Sequence, residues 1–261
     1  MVHTAIQPTP FADVNALLGL LLDETRATLR HEFVGMYLHG SLATGDFDPQ
    51  SSDIDALIVT ASEPDAATIA ALAAMHRRIA AGGLTWAARL ECSYIPRAAL
   101  RRYDQTKARH PQIGADKPFA VRQHEHDWVI ERHILRERGI VLDGPTAAGL
   151  IDPVSRAELS NAVRTILQGW WRQILEQPAW FAERVYQAFA VLTMCRALHT
   201  LRAGEVVSKP AAAAWAGDAL GARWAPLIEQ ALAWRHDPGS GDPSDALAFV
   251  RFAIERADRR P

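Results

Sequence analysis

A chain of 261 residues, 49% of them apolar, suits one large domain or two of ordinary size and easily builds a buried core. The formal charge of −2 gives no overall attraction to nucleic acid, and Cys92 and Cys195, far apart in sequence, fit a reducing cytosol better than a disulfide framework. The opening MVHTAIQPTPFADV has no basic segment leading into an apolar one, and no later apolar run is long enough to span a bilayer, so a cytoplasmic chain without export or a membrane span is expected.

Phe11, Val14, Leu17, Leu18, Leu21, Leu22 and Leu29 recur at helical spacing behind Pro10, predicting a first helix. FVGMYLHG is short, aromatic and β-branched and ends in glycine, as a buried strand entering a tight turn does, and IDALIVTA reads the same way. PDAATIAALAAMHRRIAAGG predicts an alanine-rich helix stopped by paired glycines, and WAARLECSYIPRAAL a third strand with a helix starting near Pro96. The segment from Gln105 to Pro118 loses periodicity and reads as a surface loop. A helix is expected from about Asp127, then a short extended piece closing at Gly144-Pro145. The first domain is accordingly placed at residues 1–153. Five further helical stretches, each with a cap or a proline start, predict an all-α bundle over residues 154–261, with Trp170, Trp171, Trp215, Trp224 and Trp234 as its core.

The chemistry concentrates in HGSLATGDFDPQSSDID. A hard cation such as magnesium binds through one or two carboxylates plus substrate phosphates. Strand side chains alternate, so Asp53 and Asp55 project from one edge of a sheet while Ile54 turns into the core. Gly40 lets backbone approach a ligand closely, and Ser41, at the start of the next turn, can offer hydroxyl and amide to a phosphate. Glu91, on the third strand, interrupts an apolar run and can complete a carboxylate set with Asp53 and Asp55, or serve as the base that takes a proton from an attacking hydroxyl. A lone DxD is commonly solvated turn acid; its combination with Gly-Ser, flanking apolar runs and a later strand glutamate carries the reading. The His124-Glu125-His126-Asp127 run offers zinc ligand types without converging spacing.

These residues resemble the GS…DxD signature of polymerase β-type nucleotidyltransferases, and more closely the aminoglycoside adenylyltransferases of the streptomycin and spectinomycin type. AVLTMCRALHTLRAGEVVSKPAAAAWA resembles those enzymes' C-terminal helical domain, and WVIERHILRERGIVLDGP has a counterpart between the two domains. The resemblance implies an α+β architecture, a polymerase β-like nucleotidyltransferase domain with a mixed sheet followed by a helical bundle. It implies transfer of AMP from magnesium-bound ATP to a hydroxyl of a small, aminoglycoside-like acceptor lying between the domains. By the same resemblance Asp53, Asp55 and Glu91 hold metal, Glu91 is the catalytic base, and Ser41 and Ser52 lie around the phosphates. Lys209 reaches the triphosphate, and Asp127 sits beside the nucleotide.

Two departures stand out. The loop between Ser41 and Asp53 is one residue longer than in the resistance enzymes. On the helix before VLTMCR, where those enzymes place acids and a histidine against the cationic drug, this chain has Trp180, Glu183, Tyr186, Gln187 and Phe189. Glu183 can pair with an ammonium or guanidinium group, and Trp180 or Tyr186 can stack on it. A monomeric enzyme acting on small molecules, without nucleic acid or membrane partners, is the expectation; a nucleotide-binding regulatory module of the same fold, without significant turnover, is the alternative.

Overall fold

The computed structural model describes residues 7–114, 117–237 and 239–259; residues 1–6 of the opening read as leaderless, and Ala115 and Asp116 of the expected loop, lie outside the described residues. Contacts group the described residues up to Phe47 with Ser52–Pro153 as one unit, and Asp48–Ser51 with those from Val154 onward as another.

The first unit runs α1 (Ala12–Leu29), β1 (Phe33–Leu38), α2 (Gly40–Thr44), β2 (Ile54–Thr60), α3 (Ala66–Ala81), β3 (Leu90–Pro96), α4 (Arg97–Leu100), β4 (Arg109–Gly114), β5 (Lys117–Gln123), α5 (Asp127–Arg138), β6 (Ile140–Asp143) and α6 (Ala147–Leu150). The six strands lie in the order β5-β4-β3-β2-β1-β6, with β2 and β3 parallel and the other neighbours antiparallel. The parallel pair follows from α3, which serves as the crossover that parallel strands need, whereas β1 and β2, joined through α2, run antiparallel. Asp65 starts α3 by accepting the Thr68 N–H at 2.8 Å.

Alternation sorts each strand onto two cores. Met36 and Leu38 of β1, Ile54, Ala56 and Ile58 of β2, and Leu90, Cys92 and Tyr94 of β3 pack with α1 and α3. Tyr37, Leu57, Val59 and Ile95 face the other way, with Trp128 and Leu135 of α5 and Leu150 of α6. By the same alternation His39, Asp55, Glu91 and Ser93 belong to the α5 face. Arg132 fastens α5 there: it is buried, and its guanidinium donates to the carbonyls of Leu100 (3.0 Å), Ala99 (3.0 Å) and Trp128 (3.2 Å). An arginine can be buried so deeply because its guanidinium donates charge-assisted hydrogen bonds.

Within the expected loop from Gln105 to Pro118, Arg109–Gly114 is instead β4, hairpin partner of β5, and this corrects the sequence reading. Pro111 pairs with Val121, and among the described residues β4 pairs with β3 at Cys92↔Ile113 and Ser93↔Gln112. Its strand character comes from tertiary pairing that local composition did not advertise.

The second unit contains α7 (Arg156–Ile166), a π-helical turn (Leu167–Trp171), α8 (Arg172–Leu175), a 3-10 turn (Pro178–Phe181), α9 (Arg184–Ala203), α10 (Lys209–Ala219), α11 (Ala225–Trp234) and α12 (Ser244–Asp258). Ser155 and Glu158 form a reciprocal capping box at α7. Helix α9 is central, packing against α7, α10, α11 and α12, and its buried Gln187 donates to the carbonyls of Phe181 (2.8 Å) and Gly241 (3.1 Å). Two stretches read as single helices are interrupted: the first by the π-helical turn, the second between Phe181 and Arg184. The expected all-core tryptophans also need correction. Trp171 and Trp224 are buried, but Trp170 is 45% exposed, and Trp215 and Trp234 are half-buried. Adjacent residues of a helical turn point in different directions, and here Trp171 faces the core while Trp170 faces out. No helix among the described residues is long and apolar enough to cross a membrane.

Candidate active site

Parallel pairing sets Asp55 directly opposite Glu91, with Ile54 opposite Leu90 and Ala56 opposite Cys92. A slip of one residue would turn Glu91 into the α1 and α3 core, so burial of the flanking apolar residues holds the register. Asp53 stands just before β2, on Asp55's side of the alternation, and its carboxylate lies 3.5 Å from the Arg89 guanidinium. Ile54 between them is fully buried.

The Gly-Ser turn closes over this edge. Gly40 has φ +56°, and a Cβ there would sit 1.9 Å from Asp55 Oδ2, so only glycine fits. The next residue, Ser41, has a buried hydroxyl oxygen without a hydrogen-bond partner among the described residues. A buried hydroxyl without a partner is costly, and a ligand oxygen would satisfy it. Ser52, on the returning side of the loop, is also buried.

Sequence reasoning missed three groups around this edge: His39, Arg89 and Glu131. His39 Nδ1 lies 2.8 Å from Glu131 Oε2, and its backbone N–H donates to the Asp55 carbonyl at 3.0 Å. Burial alone would lower the His39 pKa, but the hydrogen bond and charge of Glu131, with Asp55 and Glu91 behind it, raise it instead. Two signals were available: His39 immediately precedes Gly40, and Glu131 lies one helical turn after Asp127. Asp55 is pushed up to about 7, first by burial and then by the like charges of Glu131, Glu91 and Asp53, against the opposing pull of His39. Asp127, the first residue of α5, keeps an exposed face, yet enough protein surrounds its carboxyl to push it to about 6, with Glu131 adding repulsion. An edge that raises the proton affinity of its own carboxylates favours a cation.

The His124-to-Asp127 run does not converge. His124 stacks on Trp128 with ring centroids 3.9 Å apart, whereas His126 lies against Tyr103 at 5.6 Å. No group of three or more His, Cys, Asp or Glu side chains among the described residues is arranged to hold a metal by itself. The donors at Asp53, Asp55 and Glu91 are nevertheless hard oxygens, the set that magnesium takes when phosphate oxygens complete its shell.

In the second unit, Lys209 opens α10 after Ser208, whose hydroxyl accepts the Ala211 N–H at 3.3 Å, and its ammonium lies 5.0 Å from the Phe189 ring centroid. Trp180 is the hub of an aromatic cluster, with ring centroids 4.9 Å from Phe181, 5.1 Å from Tyr186 and 6.0 Å from Trp170. Tyr186 and Phe189 are 44% and 40% exposed, too open for bundle core. Glu183 is exposed at the α9 N-terminus.

A mixed sheet carrying a Gly-Ser turn over paired strand carboxylates, followed by a helical region, is the architecture of a nucleotidyltransferase enzyme, and the comparisons with known proteins agree. The nucleotidyltransferase domain family model matches residues 22–138, and that of the aminoglycoside adenylyltransferase C-terminal domain matches residues 149–256. An aminoglycoside (3'') (9) adenylyltransferase of Shigella flexneri is 25% identical over 229 residues, 84% of each chain. One of Rhizobium radiobacter is 30% identical over 121 residues, 45% of this chain and 42% of its own. The crystal structure of a spectinomycin adenyltransferase from Enterococcus faecialis, with ATP and spectinomycin, superposes with a TM-score of 0.73 at 13% identity, covering 94% of this chain and 99% of that one, and so shares the fold. Over most of its length the chain is thus similar to aminoglycoside adenylyltransferases, its first part through a nucleotidyltransferase domain and its second through their C-terminal domain.

Proposed function

We propose that the protein transfers AMP from magnesium-bound ATP to a hydroxyl of a small, polar, aminoglycoside-like acceptor. The observation that carries this reading is the opposition of Asp55 and Glu91 on neighbouring strands beneath the Gly40 turn and the Ser41 hydroxyl, which is unpaired among the described residues. Asp53 and Asp55, with Glu91, would hold the magnesium ion, which supplies positive charge to the phosphates. Glu91 takes the proton of the acceptor hydroxyl as its oxygen bonds to the α-phosphorus, and the bond to the β-phosphate bridge oxygen breaks to release pyrophosphate. The Ser41 and Ser52 hydroxyls bind phosphate oxygens, Asp127 lies beside the nucleotide, and Lys209 places a compact charge on the departing pyrophosphate. Trp180 and Tyr186 stack on the acceptor, and Glu183 pairs with its cationic group.

The enzyme works as a cytoplasmic monomer in this reading, on small molecules rather than nucleic acid, and the near-neutral charge supports that choice of partner. The test is mass-resolved AMP transfer from Mg-ATP to a panel including spectinomycin, streptomycin and other hydroxyl-bearing small molecules, beside Asp55→Ala. One acceptor should gain AMP with wild type and none with the variant. Transfer to no acceptor, or equal transfer by both proteins, would overturn the assignment.

A further inference from the structure

His39 occupies a position that the proposed reaction does not use directly. Its main chain begins the turn carrying Gly40 and Ser41, its backbone N–H holds the Asp55 carbonyl at 3.0 Å, and its imidazole reaches Glu131 of α5 at 2.8 Å. The imidazole is one-tenth exposed and the Glu131 side chain about a quarter, so the contact is sheltered. One side chain therefore connects three pieces: the Gly-Ser turn, the carboxylate strand β2, and the helix whose first residue is Asp127.

We propose that Glu131 is a positioning residue for nucleotidyl transfer, acting through His39 to hold the Gly40-Ser41 turn against Asp55. This rests on the adenylyl-transfer reading above. Three observations give the brace its consequence. The turn and the Asp55 carboxylate are already in contact, since a Cβ on Gly40 would lie 1.9 Å from Oδ2, so neither moves without the other. The Ser41 hydroxyl beyond the turn is buried without a partner among the described residues, so its aim depends on the backbone at His39 and Gly40 rather than on bonds of its own. The anchor is also stiff, because one residue beyond Glu131 the Arg132 guanidinium is bonded to the carbonyls of Ala99 and Leu100. Trp128, one turn earlier on α5, closes the near side, its ring 5.9 Å from the imidazole.

A brace of this kind matters more to rate than to fold. The first unit has two apolar cores that do not depend on the His39–Glu131 contact, whereas misplacement of reacting groups by about 1 Å costs about a hundredfold in rate. The conservative variant separates shape from charge. The Glu131→Gln amide oxygen can still accept from an Nδ1–H, so it preserves the brace, while Glu131→Ala removes it.

The experiment compares wild type, Glu131→Ala, Glu131→Gln and, as a charge control on the exposed side of α5, Glu137→Ala. Each is followed by AMP transfer to the best acceptor, Mg-ATP titration calorimetry and thermal melting. Glu131→Ala should lower kcat by about tenfold to a hundredfold while the Mg-ATP Kd changes by less than about threefold, within about 0.7 kcal/mol, and the melting temperature stays within a few degrees of wild type. Glu131→Gln should recover most of the rate, and Glu137→Ala should match wild type throughout. The inference is overturned if Glu131→Ala turns over like wild type, if Glu131→Gln is as slow as Glu131→Ala, or if rate is lost only together with the folded state. Wild type that binds Mg-ATP but transfers AMP to no acceptor overturns the functional reading itself, and this inference with it.

Discussion

The carboxylate edge of the first unit and the aromatic face of the second are built on opposite principles. At the edge, four groups are fixed by something stiff: Asp55 and Glu91 by strand register, Gly40 by a φ of +56° and a contact that excludes any side chain, His39 by Glu131. On the aromatic face, Trp170, Tyr186 and Phe189 are 40 to 45% exposed around Trp180, beside a π-helical turn and the break before α9. The first arrangement suits a reaction whose geometry must not vary. The second offers broad, polarizable surface with few directional bonds, which suits selection among acceptors. Substitutions at the edge should therefore change rate, and those on the aromatic face should change which acceptor is taken and how tightly.

The sharpest break is Glu91→Gln. It keeps shape but removes the base, so turnover should fall by about two to four orders of magnitude, while Mg-ATP affinity in calorimetry should fall far less, because Asp53 and Asp55 still hold the magnesium. Near-normal turnover would leave Glu91 as ordinary strand polarity.

Gly40→Ala comes next. The added methyl collides with the Asp55 carboxylate at a backbone angle that L-residues rarely adopt, so AMP transfer should drop by about a hundredfold and the melting temperature should fall. A variant indistinguishable from wild type would show that turn and carboxylate are not held together.

Lys209→Ala tests whether the second unit serves the nucleotide. A charge-assisted bond contributes about 1.5 to 3 kcal/mol, so Mg-ATP should bind about tenfold to a hundredfold more weakly, and Lys209→Arg should recover only part of this. Tyr186→Ala and Trp180→Ala should instead raise the acceptor KM by about tenfold and leave ATP titration unchanged. If all three variants behave alike, the contrast between the regions fails.

The smallest effect is on stability. Asp55 ionises near 3.8 in the unfolded chain but at about 7 when folded. Between these values the folded chain holds the extra proton, so stability without nucleotide or metal should fall as pH rises from about 4 to 7. Asp55→Asn, which never ionises, should flatten this slope in part, Asp127 still contributing, and should melt a few degrees above wild type at pH 8. Melting curves of both proteins across that range give the answer; identical slopes would mean that Asp55 is not held in a crowded, desolvated edge.

Much of the first unit was legible because its signals are local. Ile54 and Asp55 alternate whatever surrounds them, Asp65 caps its own helix, and Gly40 and Ser41 adjoin in sequence. The order helix, strand, turn, strand, helix, strand followed from such periods and breaks, as did the helical character of the second unit and the resemblance carried by its VLTMCR and SKPAAAAWA segments. What tertiary structure decided was pairing across distance. The β4 and β5 hairpin joins the sheet although Pro111 and its polar neighbours read as loop, because strand character there comes from partners rather than propensity. Trp170 and Trp171 look equivalent as letters, and only the placement of the helix on its neighbours turns one inward and the other out. Glu131 could be read as one of several acids on an amphipathic helix; its meeting with His39, 92 positions away in the chain, exists only once α5 is laid across the sheet by the backbone bonds of Arg132. Local chemistry is written in neighbouring residues, but contacts between remote segments depend on how the buried faces fit together, and that fit is a property of the whole chain.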